Sequence, residues 1–186
     1  TRTYVIEAIS STNVVAVRFS GIYRYDGTSW TQEASTLTQN ARFTSVSVAS
    51  PTEIFAVGDF GTILRYDGSA WRVDRSRSQG GSIAGDSSAI SGNELYFGGR
   101  FNNRSALYRW TGSALQQVTP RSGGYSVLVL SSNDIMYTLS GSREVHAFDG
   151  NGWRVDQAQE QGGVLRVTLS GERFWIGEDV ISKYNR

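Results

Sequence analysis

One short motif returns five times along these 186 residues. A chain so repeated is confined to architectures that copy a single unit. Gly21 to Trp30 reads GIYRYDGTSW, and Gly61 to Trp71 reads GTILRYDGSAW. Ala106 to Leu115 follows as ALYRWTGSAL, Glu144 to Trp153 as EVHAFDGNGW, and Val180 to Arg186 as VISKYNR. The aromatic before the turn falls at Tyr25, Tyr66, Trp110, Phe148 and Tyr184, at spacings of 41, 44, 38 and 36 residues. Internal repetition at that period, built from short strands, decides the fold before any local assignment is made.

A second register runs beside the first. Ser10, Ser50, Ser91, Ser131 and Ser170 each close an apolar run and open a polar turn. Behind each turn comes a β-prone segment: VVAV from Val14, IFAVG from Ile54, LYFGG from Leu95, IMYTL from Ile135 and FWIG from Phe174. β-Branched and aromatic runs bounded by Gly, Ser, Asn and Asp are strand signals. No window shows a sustained helical period, so the expectation is an all-β chain.

Each unit parses into four strands, in the second unit at about 43–49, 53–58, 61–66 and 70–75. Asp67-Gly68 lies between the last two, where Gly accepts the positive φ of a hairpin. Four-stranded meanders at this period are the blades of a β-propeller. Five units predict a five-bladed β-propeller in one domain, with blades near 1–40, 41–80, 81–121, 122–161 and 162–186. The Trp heading the fourth strand (Trp30, Trp71, Trp153) is expected to wedge between neighbouring sheets. The fifth unit stops inside its third strand. Either the last blade is incomplete or the chain is a piece of something longer, and an open edge would invite self-association through the fifth blade.

Composition narrows the function classes. The formal charge is +1, from 18 basic and 17 acidic residues without a charge run, so the footprint of a nucleic-acid binder is missing. No apolar stretch is long enough to span a membrane as a helix. Zero Cys removes disulfides, thiolate metal sites and a catalytic thiol. The sequence has no initiator Met, which leaves room for a removed leader. Together with abundant Ser, Thr, Tyr and Trp, this suits an extracellular or periplasmic setting.

The stretch FAVGDFGTILRYDGSAW, Phe55 to Trp71, resembles the propeller repeats of bacterial extracytoplasmic proteins, namely the photosystem-assembly (Ycf48-like) and Asp-box families. In those families a glycine pair leads into a strand, a tight Asp-Gly turn and a Trp. The match is good in the second unit, fair in the first, third and fourth, and partial in the fifth. An Asp-box proper has one more residue between its Asp and Gly, and a Ser or Thr two before the Asp. Arg24, Arg65 and Arg109 occupy that earlier position here. The resemblance implies a propeller in which Asp26, Asp67 and Asp149 stabilise turns rather than catalyse. In blade number and size only, the chain also resembles the five-bladed tachylectin-type lectins.

Catalytic constellations are sparse. Counting back from the recurring Ser, the innermost strands offer only Glu7 and Asp86 as channel carboxylates. A glycosidase or lyase reading would need those two to face one another at roughly 5–9.5 Å. The single His146 lies on a third strand toward the rim, so no triad or histidine metal cluster can form. No cofactor is expected. The glycine pairs at 80–81, 123–124 and 162–163 read as connections between blades.

The connections between second and third strands carry Arg18-Phe19, Asp59-Phe60 and Arg100-Phe101, the Phe residues 41 apart each time. Each Phe either folds back over its own blade or joins a ring of aromatic and polar contacts. Loops on a rigid scaffold are where function concentrates. The third blade has the longest such loop, GRFNNRSA, which singles out Phe101, Asn102, Asn103 and Arg104. The recurring third-strand arginines are expected to stack on neighbouring aromatics. The chain is therefore expected to be a non-enzymatic module presenting these loops to a glycan, in lectin fashion, or to a protein partner. A channel-acid enzyme and a structural chain of a larger assembly are the alternatives.

Overall fold

The segments rich in β-branched and aromatic residues all run extended. A computed structural model describes residues 5–19, 21–34, 37, 41–76, 82–91, 94–101, 104–118, 125–131, 134–139, 144–148, 152–158, 164–167, 173–176 and 181–184. Among them the strands fall into five antiparallel sheets, each a meander in which consecutive strands pair. The first sheet holds β1 (Val5–Ser10), β2 (Asn13–Arg18), β3 (Gly21–Tyr25) and β4 (Trp30–Glu33). The second holds β5 (Phe43–Ser50), β6 (Glu53–Gly58), β7 (Ile63–Tyr66) and β8 (Trp71–Arg75), each bound within two residues of the sequence expectation. The third is β9 (Ser82–Ser91), β10 (Glu94–Phe101), β11 (Arg104–Trp110) and β12 (Leu115–Gln117). The fourth is β13 (Tyr125–Ser131), β14 (Asp134–Leu139), β15 (Glu144–Phe148) and β16 (Trp153–Ala158). The fifth has three strands, β17 (Val164–Val167), β18 (Arg173–Ile176) and β19 (Ile181–Tyr184). One short 3-10 turn, Asp59–Gly61, is the helical element among the described residues.

The first strands of successive sheets pack side by side, β1 on β5, β5 on β9, β9 on β13 and β13 on β17. Hydroxyls join two of them directly. Ser45 Oγ and Ser47 Oγ each lie 2.6 Å from Ser88 Oγ, across from β5 to β9. These pairings satisfy hydroxyls that are otherwise buried, which would be costly to leave unmade.

The core lies between sheets, because alternate residues of every strand face opposite neighbours. Val15, Val17 and Ile22 of the first sheet meet Val46, Ile54, Ala56, Leu64 and Trp71 of the second. Val57 and Ile63, on the opposite face of the second sheet, meet Leu95, Phe97 and Leu107 of the third. Polar pairs lock these two joints. Trp71 Nε1 donates to Glu33 Oε2 at 2.7 Å, and Arg24 donates to Glu33 Oε1 at 2.8 Å while stacking over Tyr66 at 4.5 Å. One sheet further on, Trp110 Nε1 donates to Asp74 Oδ2 at 3.2 Å. Arg65 stacks on Phe55 at 5.5 Å and pairs with Glu53, and Arg109 pairs with Glu94. The arginine stripe therefore holds carboxylates as well as rings, a role its spacing did not reveal.

The turns between third and fourth strands are wider than a two-residue hairpin. Tyr66 pairs with Trp71, leaving Asp67–Ala70 as a four-residue connection. Asp67 Oδ1 accepts from the Ser69 N–H, the Ser69 hydroxyl and the Ala70 N–H at 2.7–3.0 Å, and Asp26 repeats the pattern with Thr28 and Ser29. Those donors hold both carboxyls well below the usual carboxylate range. Gly68 is fixed twice over. Its φ is +93°, and a Cβ there would lie 2.8 Å from Thr52 Cγ2.

One expected wedge fails. Trp71 is 8 % exposed, but Trp30 is 48 % exposed and so is not enclosed between sheets as Trp71 is. The side chain of Trp153 and the whole of Asp149 lie outside the described residues.

Candidate functional site

The first two connections between second and third strands hold their phenylalanines in a left-handed backbone. Phe19 has φ 44° and Phe60 has φ 58°. A bulky residue there costs on the order of 1–2 kcal/mol, so something must hold it. For Phe19, the holding group is the chain entering the second sheet. The Phe43 N–H donates to the Phe19 carbonyl at 2.7 Å, and the Arg42 guanidinium carbon stands 5.2 Å from the ring centroid. Arg18 stands at 5.4 Å from the same ring. Two cation–π contacts at about 0.5–1 kcal/mol each are enough to offset the backbone cost.

For Phe60, the 3-10 turn supplies the constraint. The Thr62 N–H and Thr62 hydroxyl both donate to the Asp59 carbonyl, and Gly58 N–H donates to the Thr62 carbonyl at 3.0 Å. Below the turn Arg75, 6 % exposed, donates to the Gly61 carbonyl at 2.7 Å. Burial pushes the Arg75 pKa down, but arginine starts so high that the guanidinium stays charged. The turn is also tied to Arg42, whose carbonyl accepts from the Asp59 N–H at 2.9 Å. A Cβ at Gly58 would stand 2.6 Å from that carbonyl oxygen, so only glycine allows the approach.

Arg18, Phe19, Asp59 and Phe60 are thus brought onto one rim through Arg42, which bridges both connections. Both residues are partly exposed, at 44 % and 43 %. Arg42 was missed from sequence because it lies outside the repeated motif. The third connection differs from expectation. Phe101 pairs with Arg104 and Arg100 with Ser105, so the supposed long loop is two extended strands with a two-residue link. The side chains of Arg100, Phe101 and Arg104, and all of Asn102 and Asn103, lie outside the described residues.

The rim offers two partly exposed aromatic faces, the exposed Arg42 guanidinium and the Asp59 carboxylate. Among the described residues of the rim, none pairs a nucleophile with a base. Glu7 lies on β1, its carboxyl pushed up by desolvation. Asp86 lies on β9 with its side chain outside the described residues. Among the described residues, no three His, Cys, Asp or Glu side chains are grouped to hold a metal ion. No helix among them is long and apolar enough to cross a membrane.

No protein-family profile matches the chain, and no curated protein matches its sequence. Solved structures do match its fold. A YCF48 bound to D1 peptide superposes with a TM-score of 0.68 at 19 % identity, covering 100 % of this chain and 65 % of that one. YCF48 from Cyanidioschyzon merolae gives 0.63 at 12 % identity, over 94 % of this chain and 64 % of that one. The WD40 β-propeller domain of Doa1 gives 0.62 at 14 % identity, over 97 % and 64 %. The chain spans less than two thirds of each neighbour's length. Its fold is that of a β-propeller.

Proposed function

We propose that the chain is a non-enzymatic propeller module of five blades that binds a protein partner through the rim of Arg18, Phe19, Arg42, Asp59 and Phe60. The supporting observation is the pair of exposed phenylalanines held in left-handed backbone, the first flanked by two guanidinium groups. Aromatic and arginine side chains are the residue types that dominate protein interfaces, and rigid placement lowers the entropy lost on binding. The exposed Arg42 guanidinium against the Phe19 ring favours a partner segment that combines a carboxylate with an apolar side chain. A propeller of similar fold has been solved with a peptide, which supports a peptide-like ligand. The glycan reading has less behind it. Sugar-binding propellers gain strength from repeated equal sites, and here Arg18 at one connection is replaced by Asp59 at the next.

Binding of the chain to an array of acidic-apolar and neutral peptides tests the reading, with a glycan array run in parallel. Acidic-apolar peptides should be retained. Phe19→Ala and Arg42→Ala should each weaken them at least about 5-fold, the loss expected when an interface anchor is removed. Glycan signal with silent peptides would replace the proposal by a lectin. Peptide binding indifferent to both variants would move the site off this rim.

A further inference from the structure

The rim carries two opposite charges that do not pair with each other. The Arg42 carbonyl accepts from the Asp59 N–H at 2.9 Å, so the two residues touch through their backbones. Their side chains nevertheless stay apart. The Arg42 guanidinium lies toward Phe19, 5.2 Å from the ring centroid, and no ion pair among the described residues includes Arg42 or Asp59. Asp59 differs in this from Asp26 and Asp67, whose carboxylates accept from the donors of their own turns. It differs too from Glu33, Glu53 and Glu94, each of which is paired with an arginine. Arg75, the charge beneath the turn, is buried and donates to the Gly61 carbonyl. Arg42 is exposed and Asp59 is half-buried, and each adjoins a partly exposed phenylalanine.

We infer that the rim selects a dipolar protein segment, one that sets a carboxylate against Arg42 beside Phe19 and a lysine or arginine against Asp59 beside Phe60. The inference rests on the reading of this rim as a protein-binding surface and extends it from a single charge to an ordered pair. Charge complementarity names the occupant. A segment acidic at both ends would bring like charges together at Asp59, and one basic at both ends would do so at Arg42, each at a cost in affinity. Opposite charges on one surface therefore reject as well as attract, which is how related partners are told apart. The backbone bond between Arg42 and Asp59 fixes where the two charged residues stand, and the close approach at Gly58 holds that bond in place. The formal charge of the whole chain is only +1, so discrimination falls to local charges such as these rather than to a long-range field.

Fluorescence anisotropy of the chain with three kinds of short labelled peptide tests this. All contain two phenylalanines, flanked by Glu and Lys, by Glu and Gln, or by Glu and Glu, and each is made in both orders to cover either chain direction. In its better order the Glu–Lys peptide should bind about 3-fold more tightly than the Glu–Gln peptide, the gain of one partly exposed ion pair. The Glu–Glu peptide should bind most weakly. Asp59→Asn should equalise the Glu–Lys and Glu–Gln peptides, and Asp59→Lys should invert the ranking so that Glu–Glu binds most tightly. Near-ultraviolet circular dichroism checks that each variant keeps its fold, and Asp59→Asn decides by itself if the reversal does not fold. Peptides that bind without a Glu–Lys advantage would overturn the inference while leaving the rim as a protein-binding surface. An advantage that survives Asp59→Asn would do the same. Silence from every peptide would overturn both readings together.

Discussion

Replacing Trp71 by alanine removes an indole that fills the joint between the first two sheets and a hydrogen bond that crosses it. A buried aromatic of this kind hides about 150–250 Å² of surface. At about 25 cal/mol per Å² the transfer term alone approaches 4–6 kcal/mol, an upper bound because the unfolded chain already hides some area. Measured Trp→Ala losses centre on about 3–5 kcal/mol, and that is the expectation here. Glu33 keeps its bond from Arg24, so the variant does not strand a buried charge. Trp30→Ala provides the internal comparison. That side chain is 48 % exposed and opens no cavity, so its loss should stay near 1–2 kcal/mol. Urea unfolding of both variants, followed by tryptophan emission at concentrations dilute enough to keep single chains apart, reads the difference directly. Equal losses at the two positions would refute the argument that a neighbouring sheet, and not the local motif, sets the worth of this tryptophan.

Two further outcomes follow from the turns. Gly58→Ala places a Cβ against the Arg42 carbonyl and should cost about 1–3 kcal/mol, as overpacking does; unchanged urea unfolding would show that the rim is not clamped as described. Asp26 and Asp67 have folded pKa values lowered below their unfolded ones, so the unfolded chain binds more protons between the two. Their contribution is full above about pH 4, the ordinary carboxylate value, and fades as pH falls toward the folded values. Thermal midpoints measured down that range should drop, and Asp67→Asn should make the drop shallower; an identical acid limb in the variant would sink this reading.

The fold was legible because its signals are local and copied. Period-two runs, Asp-Gly turns and a recurring Ser each act within a few residues, so the strands of the second sheet fall almost where the pattern puts them. The positions of Phe19 and Phe60 were legible for the same reason. What escaped was set by contacts between sheets. Trp30 and Trp71 follow nearly the same sequence, yet one stays half exposed and the other is buried between sheets. Arg42 matters because its carbonyl meets Asp59 and its guanidinium meets Phe19, and neither partner is near it in the chain. The GRFNNRSA stretch looked like a loop from its polarity, but Arg100 pairs with Ser105 and Phe101 with Arg104, so its flanks stay extended.

The Trp71–Glu33 bond makes the stability of each sheet partly a property of the one before it. Units coupled only to their neighbours behave as a linear array, in which disturbance spreads one step at a time and weakens with distance. Amide exchange should therefore grade along the molecule. The second sheet, gripped by the first on one face and the third on the other, should exchange slowest. The first sheet, whose Trp30 stays half exposed, should open sooner. A Glu33→Ala change, made in the first sheet, should loosen protection most in β7 and β8 of the second.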